Sequence, residues 1–272
     1  MIPTLSQVCS LTSRFDADIE DYAAGKCESV EIWLTKLEDY LERHSVAEVK
    51  DWLAKFEVSA PVASFQGGIL SSQGERRKEA WDLFRRRLEI CQAIGTRTIV
   101  IACDVPQPLS QETIDRVQVS LVQAAQECGK RGLRAALEFQ TTSAFGNNLQ
   151  TAAALVAEMG SPHLGLCLDA FHFFTGPSKT EDLSYLTISN LFHVQLCDLL
   201  EAPRELASDS HRILPGDGDF PLQQLIEHLR SINYTGCVSL ELLNPQLWQV
   251  PPRQMGEIGM TALRKVLGQA AM

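Results

Sequence analysis

Nowhere does this sequence run through 18 consecutive apolar residues, so no stretch is long enough to cross a bilayer as a helix and no membrane partner is expected. The opening, MIPTLSQVCS, carries neither the basic flank nor the apolar core of a secretory leader, and the expected compartment is the cytoplasm. Positive charge is also scarce. Lys and Arg number 24 against 34 Asp and Glu, for a formal net charge of −10, and the basic clusters are short, as at Arg85–Arg87. Such a field repels a phosphate backbone, which argues against a nucleic-acid partner. None of the eight cysteines forms a CxxC pair, so the usual spacings of zinc and redox sites are missing. They read as small buried apolar residues in a reducing compartment. No GxGxxG or GxxxxGK[ST] follows the first apolar run, which leaves an open nucleotide-binding sheet without support.

What is present is a regular alternation. Hydrophobic residues make up 45% of the 272 and charged residues 21%, enough apolar mass for a sizeable core. Eight strand-like runs recur: TLSQVC, SVEIWL, VSAPVAS, RTIVIAC, RAALEF, LGLCLD, FHVQLC and CVSLEL. Between them the period becomes helical, as at Val117, Leu121, Ala125 and Cys128, and again at Leu222, Leu225, Ile226 and Leu229. Strand–helix alternation implies a parallel sheet, and eight units can close on themselves. The expected fold is α/β, a single (β/α)8 TIM barrel over residues 1–272, close to the usual barrel length of about 250 residues.

Four runs end in polar residues. Glu138 lies in RAALEF, Asp169 ends LGLCLD, Gln195 lies in FHVQLC and Glu241 in CVSLEL, at intervals of 31, 26 and 46 residues. Each interval fits a helical crossover, so the four belong to successive strands, and in such a barrel the C-terminal strand ends carry the active site. Singly, an acid there caps a helix or pairs with an arginine. Three converging carboxylates raise one another's pKa, and a divalent ion removes that conflict. The expectation is one metal ion held by Glu138, Asp169, Gln195 and Glu241. With an amide in place of an imidazole, the four oxygen ligands suit Mg2+ or Mn2+, with Zn2+ or Co2+ as alternatives. Divergence of these side chains, or their pairing with Arg or Lys instead, would overturn the reading.

Glu138, Asp169-Ala-Phe-His172, His193-Val-Gln195-Leu-Cys-Asp198, Gly216-Asp-Gly218 and Glu241 appear in the motif order of the xylose isomerase-like TIM barrels, and the chain resembles that superfamily along essentially its whole length. It departs from the pattern at Gln195, where most members place a histidine ligand. The resemblance implies that Glu138 and Glu241 are catalytic, each binding the metal and handling protons from opposite sides of the substrate. Metal chelation of a carbonyl and its neighbouring hydroxyl stabilises an enediolate, so the implied activity is sugar isomerisation or epimerisation on a ketose or small hydroxy-keto compound. His172 matches the family's substrate-contacting histidine. Asp198 reads as structural, and His193 as facing away from Gln195 or supporting it.

Two weaker substrate-binding candidates are Arg212, in SDSHRILPGDGDF, and Gln66, in the SFQGG loop. The partner is then a small carbohydrate or keto acid, and a homo-oligomer remains compatible with the sequence. The alternatives are a dehydratase resembling 3-dehydroshikimate dehydratase, whose extra arginines after the third strand are lacking here, and a barrel that binds sugar or metal without catalysis. A three-zinc endonuclease of the same barrel class needs histidines after strands three and four, where this chain has SFQGG and CDVPQ.

Overall fold

A computed structural model describes residues 1–200 and 202–269. Its strands are β1 (Ile2–Ser6), β2 (Ser29–Trp33), β3 (Ser59–Gln66), β4 (Thr98–Cys103), β5 (Arg134–Phe139), β6 (Leu164–Asp169), β7 (Leu191–Leu196) and β8 (Cys237–Leu240). They follow one another in the order of a closed barrel, β1 to β8. The helices are α1 (Phe15–Ala24), α2 (Leu34–Leu41), α3 (Val46–Lys55), α4 (Gly74–Ile94), α5 (Gln111–Gly129), α6 (Leu149–Met159), α7 (Ala170–Thr175), α8 (Leu222–Ser231) and α9 (Pro252–Val266). Among the described residues, no helix is long and apolar enough to cross a membrane.

The chain packs as two compact units, Met1–Val62 with Val194–Met272, and Ala63–His193. In the first, β1 lies between β2 and β8, with Leu5 beside Val30 on one side and Leu240 on the other. α1 packs on α9 so closely that a Cβ at Gly25 would stand 2.8 Å from the Glu257 backbone nitrogen. In the second unit β5 pairs with both β4 and β6, which sets Ala102, Glu138 and Cys167 in one row. Every residue of β4 and β6 is buried, the near-continuous apolar content of a parallel strand covered on both faces.

β1 and β8 end well before their sequence runs do. The TLSQVC run continues to Cys9, but β1 stops at Ser6, because Gln7–Ser10 winds into a 3-10 turn whose first donor, Val8 N, points at the Ser6 hydroxyl. β8 stops at Leu240, and Glu241 N still donates to Leu196 O at 3.0 Å. All eight cysteines are buried free thiols. Burial pushes the Cys27 thiol up to about 11 and the Cys103 thiol up to about 12, so both are neutral small apolar side chains rather than reactive ones.

Candidate functional site

In the second unit, the end of β5 and the β6–α7 junction build an acidic cluster. Glu138 is the penultimate residue of β5 and Asp169 the last of β6. α7 starts directly after Asp169, whose Oδ1 accepts from Phe171 N at 2.9 Å as the helix cap. Capping fixes that carboxylate and leaves Oδ2 turned toward His172, one helical turn on, with His172 Nε2 3.7 Å away. Glu138 Oε2 accepts from Gln140 Nε2 at 3.1 Å. Glu138, Asp169 and His172 are all buried, and each offers a ligand atom within 4.8 Å of the others. Ligands on opposite sides of one small divalent ion stand about 4–5 Å apart, so the spread fits a shared cation. His172 Nδ1 lies 3.5 Å from Thr141 N. Accepting from that amide leaves the ring proton on Nε2, facing Asp169, which favours hydrogen bonding over metal ligation for this histidine.

The first unit gathers a different set. Gln195, in β7, donates from Nε2 to Glu241 Oε1 at 2.8 Å and to Glu31 Oε1 at 2.9 Å. Arg212 donates from Nη1 to Glu241 Oε2 at 3.0 Å, and its Nη2 and Nε contact Asp209 Oδ1 at 2.8 and 2.9 Å. Glu241 therefore has one oxygen on an amide and the other on a guanidinium, and this arginine pairing counts against its expected role as a metal ligand. Arg212 is only 1% exposed, so it is no surface residue. A loop anchored by Asp198 holds it there. Asp198 Oδ1 accepts from Leu199 N and Phe220 N, and Oδ2 from Gly216 N, each at 2.9 Å. Its backbone also bridges Ile213 in both directions. A Cβ at Gly218 would meet Leu199 O at 2.4 Å and Asp198 Oδ1 at 2.5 Å, so the second glycine of Gly216-Asp-Gly218 is demanded by this close approach.

Gln66, the last residue of β3, is buried. Its Nε2 donates to Gly67 O at 2.7 Å and its Oε1 accepts from Arg87 Nη1 at 3.2 Å. Arg87 reaches there from α4 and also donates to Phe65 O at 3.1 Å.

Glu31 is one residue that sequence reasoning overlooked. Its signal was available: an acid at the centre of SVEIW, a strand otherwise apolar past its first residue, and fully buried in β2.

Residues 20–266 match the sequence profile of the family described as xylose isomerase-like TIM barrel. Among curated proteins, an inosose isomerase of Halalkalibacterium halodurans is 28% identical over 225 residues, 80% of this chain and 78% of that enzyme. A 3-dehydroshikimate dehydratase of Pseudomonas putida is 25% identical over 93% of this chain, which spans 40% of that enzyme's length. Among solved structures, the IolI protein with a binding zinc atom superposes at a TM-score of 0.91, with 22% identity and complete coverage of both chains. A D-psicose 3-epimerase in the presence of D-fructose superposes at 0.77, with 20% identity, covering 98% of this chain and 100% of that one.

Proposed function

Because the chain belongs to the xylose isomerase-like TIM barrel family, we propose that it is a divalent-metal-dependent isomerase or epimerase acting on a neutral ketose or similar polyhydroxylated ketone. The buried carboxylates of Glu138 and Asp169, close enough to share one cation, carry the reading, with His172 beside them. In the proposal Glu138, Asp169, Gln195 and Glu241 hold one ion, since β5 to β8 are consecutive in the barrel order. Bound there, a divalent ion would polarise a carbonyl and its adjacent hydroxyl and acidify the C–H between them. Glu138 and Glu241 then remove and return that proton, His172 contacts a substrate oxygen, and Arg212 serves Glu241 and the substrate. The Gln195 amide hydrogens bridge Glu31 and Glu241. A cation beside those acids would favour the opposite amide orientation, with oxygen turned to it. The inosose isomerase and D-psicose 3-epimerase relatives support the reaction class.

Metal analysis of the purified protein, followed by solvent-deuterium exchange on a panel of ketoses, tests the reading. A protein that retains no divalent ion and labels no ketose sinks it. The ligand set has its own test. Gln195→His should move the preference from Mg2+ or Mn2+ toward Zn2+ or Co2+, because imidazole suits the softer ions. Unchanged order in a metal competition assay would refute the oxygen-ligand argument.

A dehydratase is the second reading, favoured by the Pseudomonas putida relative. Against it, Arg87, which reaches the end of β3, is engaged by Phe65 O and Gln66, so the arginine nearest that strand end is not held ready for a substrate carboxylate.

A further inference from the structure

Asp104 follows the last residue of β4 and is fixed by one oxygen only. Its Oδ2 accepts from Gly68 N at 2.6 Å, tying the end of β4 to the loop after β3. Its Oδ1 is buried and has no hydrogen-bond partner among the described residues. The loop closes on the carboxylate because position 67 is glycine: a Cβ there would stand 2.8 Å from Oδ2. Burial holds the carboxyl above its usual range, as expected of an acceptor short of donors. Direction follows from register. Ala102 lies beside Glu138 in the β4–β5 pairing, and side chains two residues apart share a face. Carried one residue past the end of β4, the same alternation puts Asp104 on the Glu138 side of the sheet.

We propose that Asp104 Oδ1 accepts a substrate hydroxyl and so selects neutral polyhydroxylated ketones over carboxylate-bearing ones. A buried acceptor without a donor is costly, and a hydroxyl placed there relieves it. A substrate carboxylate at the same place would add a like charge beside one already desolvated. A site built to bond a hydroxyl discriminates strongly against analogues that lack it. This proposal rests on the isomerase or epimerase reading for the identity of the site, and it would divide that reading from the dehydratase one.

The test compares the metal-loaded wild type with Asp104→Asn by calorimetric titration with scyllo-inosose and with 3-dehydroshikimate, while label uptake from deuterium oxide is followed by NMR. Asparagine keeps an oxygen for Gly68 N and presents an NH2 donor at the Oδ1 position. The variant should bind inosose about 10–100-fold more weakly, the worth of a hydrogen bond to a charged group. KM should rise by the same factor with kcat nearly unchanged, and 3-dehydroshikimate should bind the variant better than the wild type. Should D104N fail to fold, Asp104→Ser, which retains a short acceptor without the charge, enters the same titrations with the same expectation. Equal inosose affinity in wild type and variant overturns the proposal. So does a wild type that prefers 3-dehydroshikimate or binds neither compound. Inosose binding without label uptake would instead overturn the isomerase reading, and the affinity comparison would still decide the role of Asp104.

Discussion

Glu138→Gln is expected to keep its bound metal and lose about 10²–10⁴-fold in turnover, the usual worth of a positioned proton-transfer group. Gln retains an oxygen ligand in the buried place beside Asp169 and His172 and removes only the basic site. Glu241→Gln should lose a similar factor by a less clean route. Its new NH2 group would face either the Gln195 amide or the Arg212 guanidinium, which the two carboxylate oxygens now satisfy, so one donor is left opposite another. Metal content, the melting curve and label incorporation from deuterium oxide separate the cases. The wild type should place deuterium at the carbon next to the carbonyl, and neither variant should. Turnover within threefold of wild type in Glu138→Gln would remove that residue from the reaction. Formation of a conjugated, ultraviolet-absorbing product by the wild type, with loss of water, would show the elimination chemistry of a dehydratase instead.

Periodicity carried the fold. The β5 and β6 runs, RAALEF and LGLCLD, are bounded in the structure at the residues the sequence indicates, because a buried parallel strand is apolar to its end and turns polar only where helix caps begin. The β1 run extended too far for the same reason in reverse: Gln7–Ser10 is fully buried, so burial continues although the ladder has stopped. His172 was named from the Asp169-Ala-Phe-His172 motif alone; that its ring faces Asp169 follows from α7, a short helix the sequence reading did not anticipate. Partner choice was not legible. That the Gln195 amide would donate to Glu31 and Glu241 depends on side chains brought together from residues 31, 195 and 241, and no local pattern announces it. Asp104 was missed because a lone acid just past an apolar run is a pattern shared with any helix cap or surface turn, whereas Glu31 was missed although it stands inside its strand. Arg212, equally readable as a surface side chain, is buried because the Asp198 carboxylate folds its loop inward.

The second large effect lies in the first unit, at Lys36. Its ammonium, on α2, donates to Gln7 O at 3.3 Å and Ser10 O at 2.6 Å, and it forms an ion pair with Asp18 of α1. One buried cation thus joins the turn after β1 to both helices. Burial is the leading influence on each partner. It raises the Asp18 carboxyl to about 7 against the pull of Lys36, and it lowers Lys36. Lys36→Met leaves Asp18 without its counter-charge and should destabilise the protein by about 3–5 kcal/mol, the usual cost of breaking a buried pair from one side. Asp18→Asn combined with Lys36→Met should recover most of that, short of the two carbonyl bonds, because a neutral pair needs no counter-charge. The sign of the pH dependence follows from the raised carboxyl. In the folded state Asp18 binds its proton up to about pH 7, whereas the unfolded chain releases it near 3.8. Its contribution is therefore fully present below the unfolded value and lost as pH rises through about 7. Removing Lys36 raises the carboxyl further, so the penalty in the variant should be largest near about pH 8.5 and shrink toward about pH 6, where Asp18 takes up its proton. Urea unfolding of the wild type, the single variant and the double variant at both values decides the matter. A single variant as stable as the wild type at the higher pH, or one whose deficit is the same at both, would show that the pair does not hold these elements together.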